Sequence, residues 1–194
     1  MTTTTRHDDG ADATPGATGG HAGKLPPFKP LGFDPIDEAR RQWVEHGWGE
    51  AAPGMALVTS VVRAQQIFLA RIEAVLRPLG LTFARYELLM LLSFARSGSM
   101  PLSRAGARLQ VHPTSITNAV DRLEAQGLIR RLPHERDRRT TLAEILPAGR
   151  QLAAEATDAL NGAVFERPGL DRAATEAVVG LLGDLRRSTG DFSA

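Results

Sequence analysis

Cysteine is absent from the 194 residues, which excludes disulfides, thiolate metal sites, cysteine nucleophiles and thiol-based redox sensing. An excess of one charge is also lacking: 23 basic against 22 acidic residues leave a formal net charge of +1, so no global field selects a partner. Catalytic signatures are missing as well. The five histidines, His7, His21, His46, His112 and His134, form no His-x-x-x-His pair, and there is neither a glycine-rich phosphate loop nor a serine-centred nucleophile elbow. An enzyme is therefore not expected, and no catalytic residue or cofactor is assigned. Nothing near the N-terminus resembles a signal peptide's apolar core, and no stretch reads as long and apolar enough to span a bilayer, so the cytoplasm is the default expectation. The 42% hydrophobic content still permits a sizeable core, in one domain or two small ones.

Residues 1–33 open with a threonine run and carry Pro15, Pro26 and Pro27 among many Gly, Ala and Asp, with almost no large apolar side chain before Lys29. Such a segment buries too little to offset its ordering entropy and reads as a flexible tail. With only Arg6 and Lys24 preceding Lys29, it is a poor basic arm. Asp34-Pro35, a capping residue before a proline, starts a helix that stops near His46-Gly47. A long helix follows, roughly Met55 to Arg77, with Leu57, Val58, Val61, Val62, Ile67, Phe68, Ile72, Val75 and Leu76 wrapping much of its circumference. Apolar residues on two sides imply a partner subunit. Pro78 and Gly80 end it, and Thr82 caps a helix running to Ala95. Near the C-terminus, Pro147 starts a helix to about Val164 and Asp171 caps another to about Arg187.

Between these flanks the signal is sharper. Leu102 to Leu109, then Gln110-Val111-His112, then a proline-started helix from Pro113 to Gln126 make a helix-turn-helix. In the second helix Ile116, Val120 and Leu123 recur at helical spacing, which leaves Thr114, Ser115, Thr117, Asn118 and Asp121 on the other face. Short hydroxyl and amide side chains there can approach base edges, and Asn suits bidentate pairing with adenine. Strands Leu128 to Pro133 and Thr140 to Ile145 flank a basic hairpin. Arg130, Arg131, Arg136, Arg138 and Arg139 lie within ten residues, against Glu135 and Asp137. A guanidinium from this hairpin can enter a narrow minor groove. Arg122 reads equally as a phosphate contact or as half of an internal ion pair.

Leu81-Thr82 to Leu89, Val120-Asp121-Arg122-Leu123-Glu124-Ala125-Gln126-Gly127-Leu128-Ile129 and Asp137-Arg138-Arg139, taken in order, resemble the MarR family of bacterial transcription regulators over about 34–185. Each piece is weak, and the combination is specific. The resemblance implies a mainly α fold with a small β-wing, a winged helix-turn-helix between N- and C-terminal dimerisation helices. It divides the chain into a tail at 1–33, dimerisation and ligand-lobe helices at 34–80, the DNA-binding domain at 81–146 and dimerisation helices at 147–194. It also implies a homodimer on an inverted-repeat operator in double-stranded DNA, with control by a small anionic or aromatic ligand. The expected DNA contacts are Pro113, Thr114, Ser115, Thr117, Asn118, Arg122, Arg136, Asp137, Arg138 and Arg139, with Asp137 aiming Arg139 through a bidentate ion pair.

The extra N-terminal helix with Trp43 and the position of Arg131 are similar to features of the family's urate-responsive branch. That branch's helical aspartate aligns with Glu87 here, and its recognition-helix arginine aligns with Ala119, which removes a positive partner for urate. Trp43, Glu87 and Arg131 are therefore the expected ligand-binding set for a small organic anion, with packing at the dimer interface as the other reading of Trp43. Two alternatives stay open: a helical protein-interaction module, and a metal-responsive sensor using His46, His112 and His134 with carboxylates, which lacks ligand spacing.

Overall fold

The computed structural model describes residues 30–134, 137 and 139–192. Arg136 and Arg138 of the hairpin, and the tail before Pro30, lie outside the described residues. Helix α1 (Pro35–Glu45) starts where Asp34 accepts the Ile36 N–H at 2.8 Å and Pro35 occupies the first turn. Helix α2 (Ala52–Leu76) runs into a 3-10 turn at Arg77–Leu79, closed by Gly80 at φ 68°. Helix α3 (Phe83–Phe94) follows. Thr82 stands at its start as expected but does not cap it: the Thr82 hydroxyl accepts from Arg85 Nε at 3.1 Å, and Glu73 takes the Phe83 N–H instead.

Next come β1 (Ser99–Pro101), α4 (Leu102–Leu109), α5 (Pro113–Ala125), β2 (Ile129–Pro133) and β3 (Thr141–Ile145). The three strands form an antiparallel sheet in the order β1-β3-β2, with Met100 opposite Ala143 and Leu132 opposite Leu142. β1 was not expected from the sequence. It doubles the pairing of β3, which ties the hairpin's base to the body. Helix α6 (Pro147–Leu160) ends in a π turn (Asn161–Phe165), where the sequence reads as uninterrupted helix. Helix α7 (Arg172–Ser188) begins at Asp171, whose carboxylate accepts from Ala174 N at 2.8 Å.

One apolar core joins the C-terminal end of α2 (Ile72, Leu76) to α3 (Leu88, Leu89, Leu92), α5 (Ile116, Val120, Leu123) and α6 (Ala153, Ala156, Leu160). Each such leucine, isoleucine or valine contributes on the order of 1.5–3 kcal/mol on burial. The start of α6 is pressed against Leu128, between α5 and β2. A Cβ on Gly149 would lie 2.2 Å from the Leu128 carbonyl oxygen, which already accepts the Leu146 N–H at 3.0 Å.

Much apolar surface is left outside. Leu57, Val58, Val61 and Val62 of α2 and Val178, Val179, Leu181 and Leu185 of α7 are exposed, Leu181 at 70%. This corrects one sequence expectation. By length and composition Ala52–Leu79 is long and apolar enough to cross a membrane, because apolar residues wrap both sides of α2. Its polar ties run sideways within the protein: Arg71 donates to the carbonyls of Ala163 (3.1 Å), Arg167 (2.6 Å) and Pro168 (3.5 Å) around the π turn.

Candidate nucleic-acid interface

Helix α5 is fixed from behind. Ile116, Val120 and Leu123 are 3%, 0% and 0% exposed, and Gly106 of α4 lets Ile116 approach to 3.3 Å of where a Cβ would sit. Gln110, at φ 52° the one non-glycine residue in the left-handed region among those described, turns the chain between the two helices. His112 then accepts the Thr114 N–H on Nδ1 at 3.3 Å as Pro113 begins α5.

With the apolar stripe buried, Thr114, Ser115, Thr117 and Asn118 are all exposed. They are not equivalent. Thr114 shares a hydrogen bond with His112 at 3.1 Å, and the Thr117 hydroxyl donates back to the Pro113 carbonyl at 3.1 Å. Ser115 and Asn118 have no such commitment among the described residues, so their donors and acceptors are available to a partner.

A groove of about 590 Å³ runs beside this face, lined by Thr82, Arg85, Ser115, Asn118, Arg122 and Gln126 among others. Arg122 makes no ion pair among the described residues, so the internal-pair reading is not realised. Thr82 and Arg85 were not expected in the site. The sequence signal was an arginine three residues after a helix-start threonine, but its nearness to α5 depends on a fold contact across more than thirty residues.

At the hairpin, Asp137 does not grip the Arg139 guanidinium. Its Oδ1 accepts the backbone N–H of Arg139 at 3.0 Å and its Oδ2 the Thr140 hydroxyl at 2.7 Å. These bonds, the Thr140 one foremost, hold its carboxyl below the usual carboxylate range. A carboxylate one residue before an arginine pair closes a turn more easily than it reaches along a side chain. Arg139 itself is exposed.

Arg131 at the hairpin's base is also committed. Its guanidinium pairs with Asp121 and Glu124 of α5, and its backbone N–H donates to Glu124 Oε1 at 2.9 Å. Burial opposes its charge, yet the hydrogen bonds and charges of the two carboxylates outweigh that and hold its pKa above the ordinary arginine value. Arg130 pairs with Glu144 across the strands. The three residues of the expected ligand set have separate surroundings in the single chain. Trp43 packs edge-on against Trp48 at 5.4 Å, in the α1–α2 hairpin. Glu87 sits half-buried on α3, where desolvation pushes its carboxyl up. His46 stacks on Trp48 and contacts the Gln42 carbonyl, and no group of three or more metal-ligating side chains occurs among the described residues.

A buried-backed helix, the turn before it and a sheet-anchored hairpin define a winged helix-turn-helix. Residues 81–141 match the profile of the MarR family. The chain is 45% identical to Sco5413, a MarR family transcriptional regulator from Streptomyces coelicolor, over 73% of this chain and 99% of that one, with a TM-score of 0.67. Sco3205 from the same organism, crystallised in complex with DNA, shares the fold at 21% identity and a TM-score of 0.60, over 68% of this chain and 84% of that one. The uncharacterized HTH-type transcriptional regulator YhbI of Bacillus subtilis is 32% identical over 85 residues, 44% of this chain and 54% of the relative. This chain thus spans about half the length of that curated relative. It belongs to the MarR family of transcriptional regulators, and the matched family is not one of enzymes.

Proposed function

We propose that the protein is a homodimeric transcription repressor that binds an inverted-repeat operator in the cytoplasm and is released by a small organic anion. The observation that carries the DNA reading is α5: an apolar stripe sealed in the core and a polar face outside, with Ser115 and Asn118 uncommitted. In this reading α5 enters the major groove, where Asn118 and Ser115 read base edges while Pro113, Thr114 and Thr117 set the approach. Arg122, with Arg85 and Thr82 across the groove, meets phosphates. The wing, with Arg139 on an Asp137-closed turn and Arg136 and Arg138 beside it in the sequence, reaches the minor groove. The Sco3205 complex supports DNA as the partner class for this fold. The exposed apolar faces of α2 and α7 support a second copy of the chain, which would bury them about a two-fold axis.

The release step rests on Arg131. An anion bound there competes with Asp121 and Glu124 for the guanidinium, so binding loosens the tie between β2 and α5. A small rotation of one recognition helix forfeits the contacts of its half-site. Glu87 and Trp43 belong to this proposal as elements of the same switch, Trp43 acting from the α1–α2 hairpin. The test is selection from a randomised duplex library followed by gel shift across a salt series. The expected outcome is an inverted repeat with half-sites about 10 bp apart. Equal affinity for selected and random duplexes at every salt concentration overturns the sequence-specific reading. Release by anions that is undiminished in Arg131→Ala overturns the switch.

A further inference from the structure

A second basic concavity, of about 750 Å³, lies between the end of α3, the turn after it, β1 and α4. No residue of α5 or of the wing lines it. Three arginines do: Arg96 from the turn, Arg104 and Arg108 from α4. No carboxylate lines the cavity, and none of the three guanidiniums has an ion pair among the described residues. Arg104 and Arg108 stand four apart on one helix face, where like charges repel. The folded chain therefore holds a cost that an anion would relieve.

The turn that carries Ser97 and Ser99 into the lining is fixed. Between them Gly98 adopts φ 68°, and a Cβ there would meet the Arg150 guanidinium at 2.3 Å. Ser97 Oγ donates to the Ser99 carbonyl at 3.1 Å and accepts from Ser99 N at 3.4 Å. The turn is thus held in one shape before any ligand arrives, which lowers the ordering cost of binding. At the rim stands Phe94, at 78% the most exposed of the large apolar side chains among the described residues. An aromatic face kept in water beside three guanidiniums suits a planar ring carrying phosphates.

We propose that this cavity binds a free nucleotide, its phosphates held by Arg96, Arg104 and Arg108 and its base stacked on Phe94. The volume lies within the range of small-molecule sites. Phosphates could also come from operator-flanking DNA. A duplex keeps its bases stacked and offers no ring to Phe94, so the free nucleotide is the source favoured here.

The test is calorimetry on the full chain with ADP, GDP and inorganic pyrophosphate, alongside operator gel shifts. The Arg104→Gln/Arg108→Gln variant is expected to weaken nucleotide binding at least about ten-fold, or about 1.4 kcal/mol, with a thermal melt no lower than wild type, because both side chains are exposed and their mutual repulsion is removed. Phe94→Ser is expected to weaken ADP and GDP but leave pyrophosphate binding as it was. Arg122→Gln, in the groove beside α5, is expected to leave nucleotide binding intact. The proposal is overturned if none of the three ligands binds at about 1 mM, if the double variant binds as wild type, or if Phe94→Ser leaves nucleotide binding unchanged. It is also overturned if the double variant loses operator affinity while wild type shows no nucleotide binding, which assigns the cavity to flanking DNA.

Discussion

Arg139, Glu87 and Asp137 illustrate how far single side chains can be read. Arg139 is exposed on a turn whose shape is held by Asp137 rather than by its own guanidinium, so truncating it removes charge without disturbing the turn. Arg139→Ala is expected to weaken DNA binding across all sequences by about 1–3 kcal/mol with a shallower salt dependence. Unchanged affinity of an intact dimer would falsify the wing assignment. Glu87 carries a cost: its folded pKa is raised by burial, so its contribution to stability is present below the unfolded pKa and lost as pH rises through the folded one. Glu87→Gln is expected to raise the melting temperature at neutral pH, with the gain vanishing as pH falls through the ordinary carboxylate range. A gain independent of pH contradicts the desolvation argument. The exposed polar face of α5 and its buried stripe were legible in the sequence because helical spacing alone assigns them. The role of Asp137 was not, since composition cannot say whether a carboxylate turns to a guanidinium or to the backbone. Asn118→Ala is expected to change the selected DNA motif more than Thr117→Ala, whose hydroxyl donates to Pro113. Identical motifs from both variants place the reading face elsewhere.

Helix starts were the most legible elements, because Asp34-Pro35, His112-Pro113 and Asp171 carry their own local chemistry. β1 was hidden by its length. Three residues show no alternation, and its pairing depends on β3 more than forty residues later. The π turn at Asn161–Phe165 was hidden for a related reason, since its register is held by Arg71 from a distant helix. The Arg131 clamp acts between elements. Its side chain and those of its partners are partly exposed, and exposed pairs contribute only about 0–1 kcal/mol each. Arg131→Gln is therefore expected to lower stability by no more than about 2 kcal/mol in urea unfolding, yet to weaken operator binding by freeing the wing from α5. A large loss of stability with undiminished operator affinity in the folded fraction contradicts this division. Leu123→Ala, which empties the space behind α5, is expected to cost about 2–5 kcal/mol.

For the whole molecule the decisive property is the unequal placement of apolar surface. The core unites the winged region with the lower half of α2 and with α6, whereas α7 and the upper half of α2 show their apolar residues to solvent. The sequence implied this through residues on two sides of α2, and the same all-round apolar composition is what makes Ala52–Leu79 long and apolar enough to cross a membrane. Leu181→Glu is expected to shift the protein toward monomer in sedimentation experiments and to remove cooperative operator binding, with the winged region still folded. A stable dimer in that variant excludes α7 from the interface. Arg71 gives this arrangement a mechanical side. Its guanidinium bolts three carbonyls at the foot of α7, and the 17-residue helix beyond is a rod of about 25 Å. A pivot error of roughly 5° at that bolt displaces the far tip by about 2 Å over such a length. One arginine in the last turns of α2 thus works as the bearing of a lever, and in the proposed dimer its tolerance sets how finely the spacing of two distant reading heads can be machined.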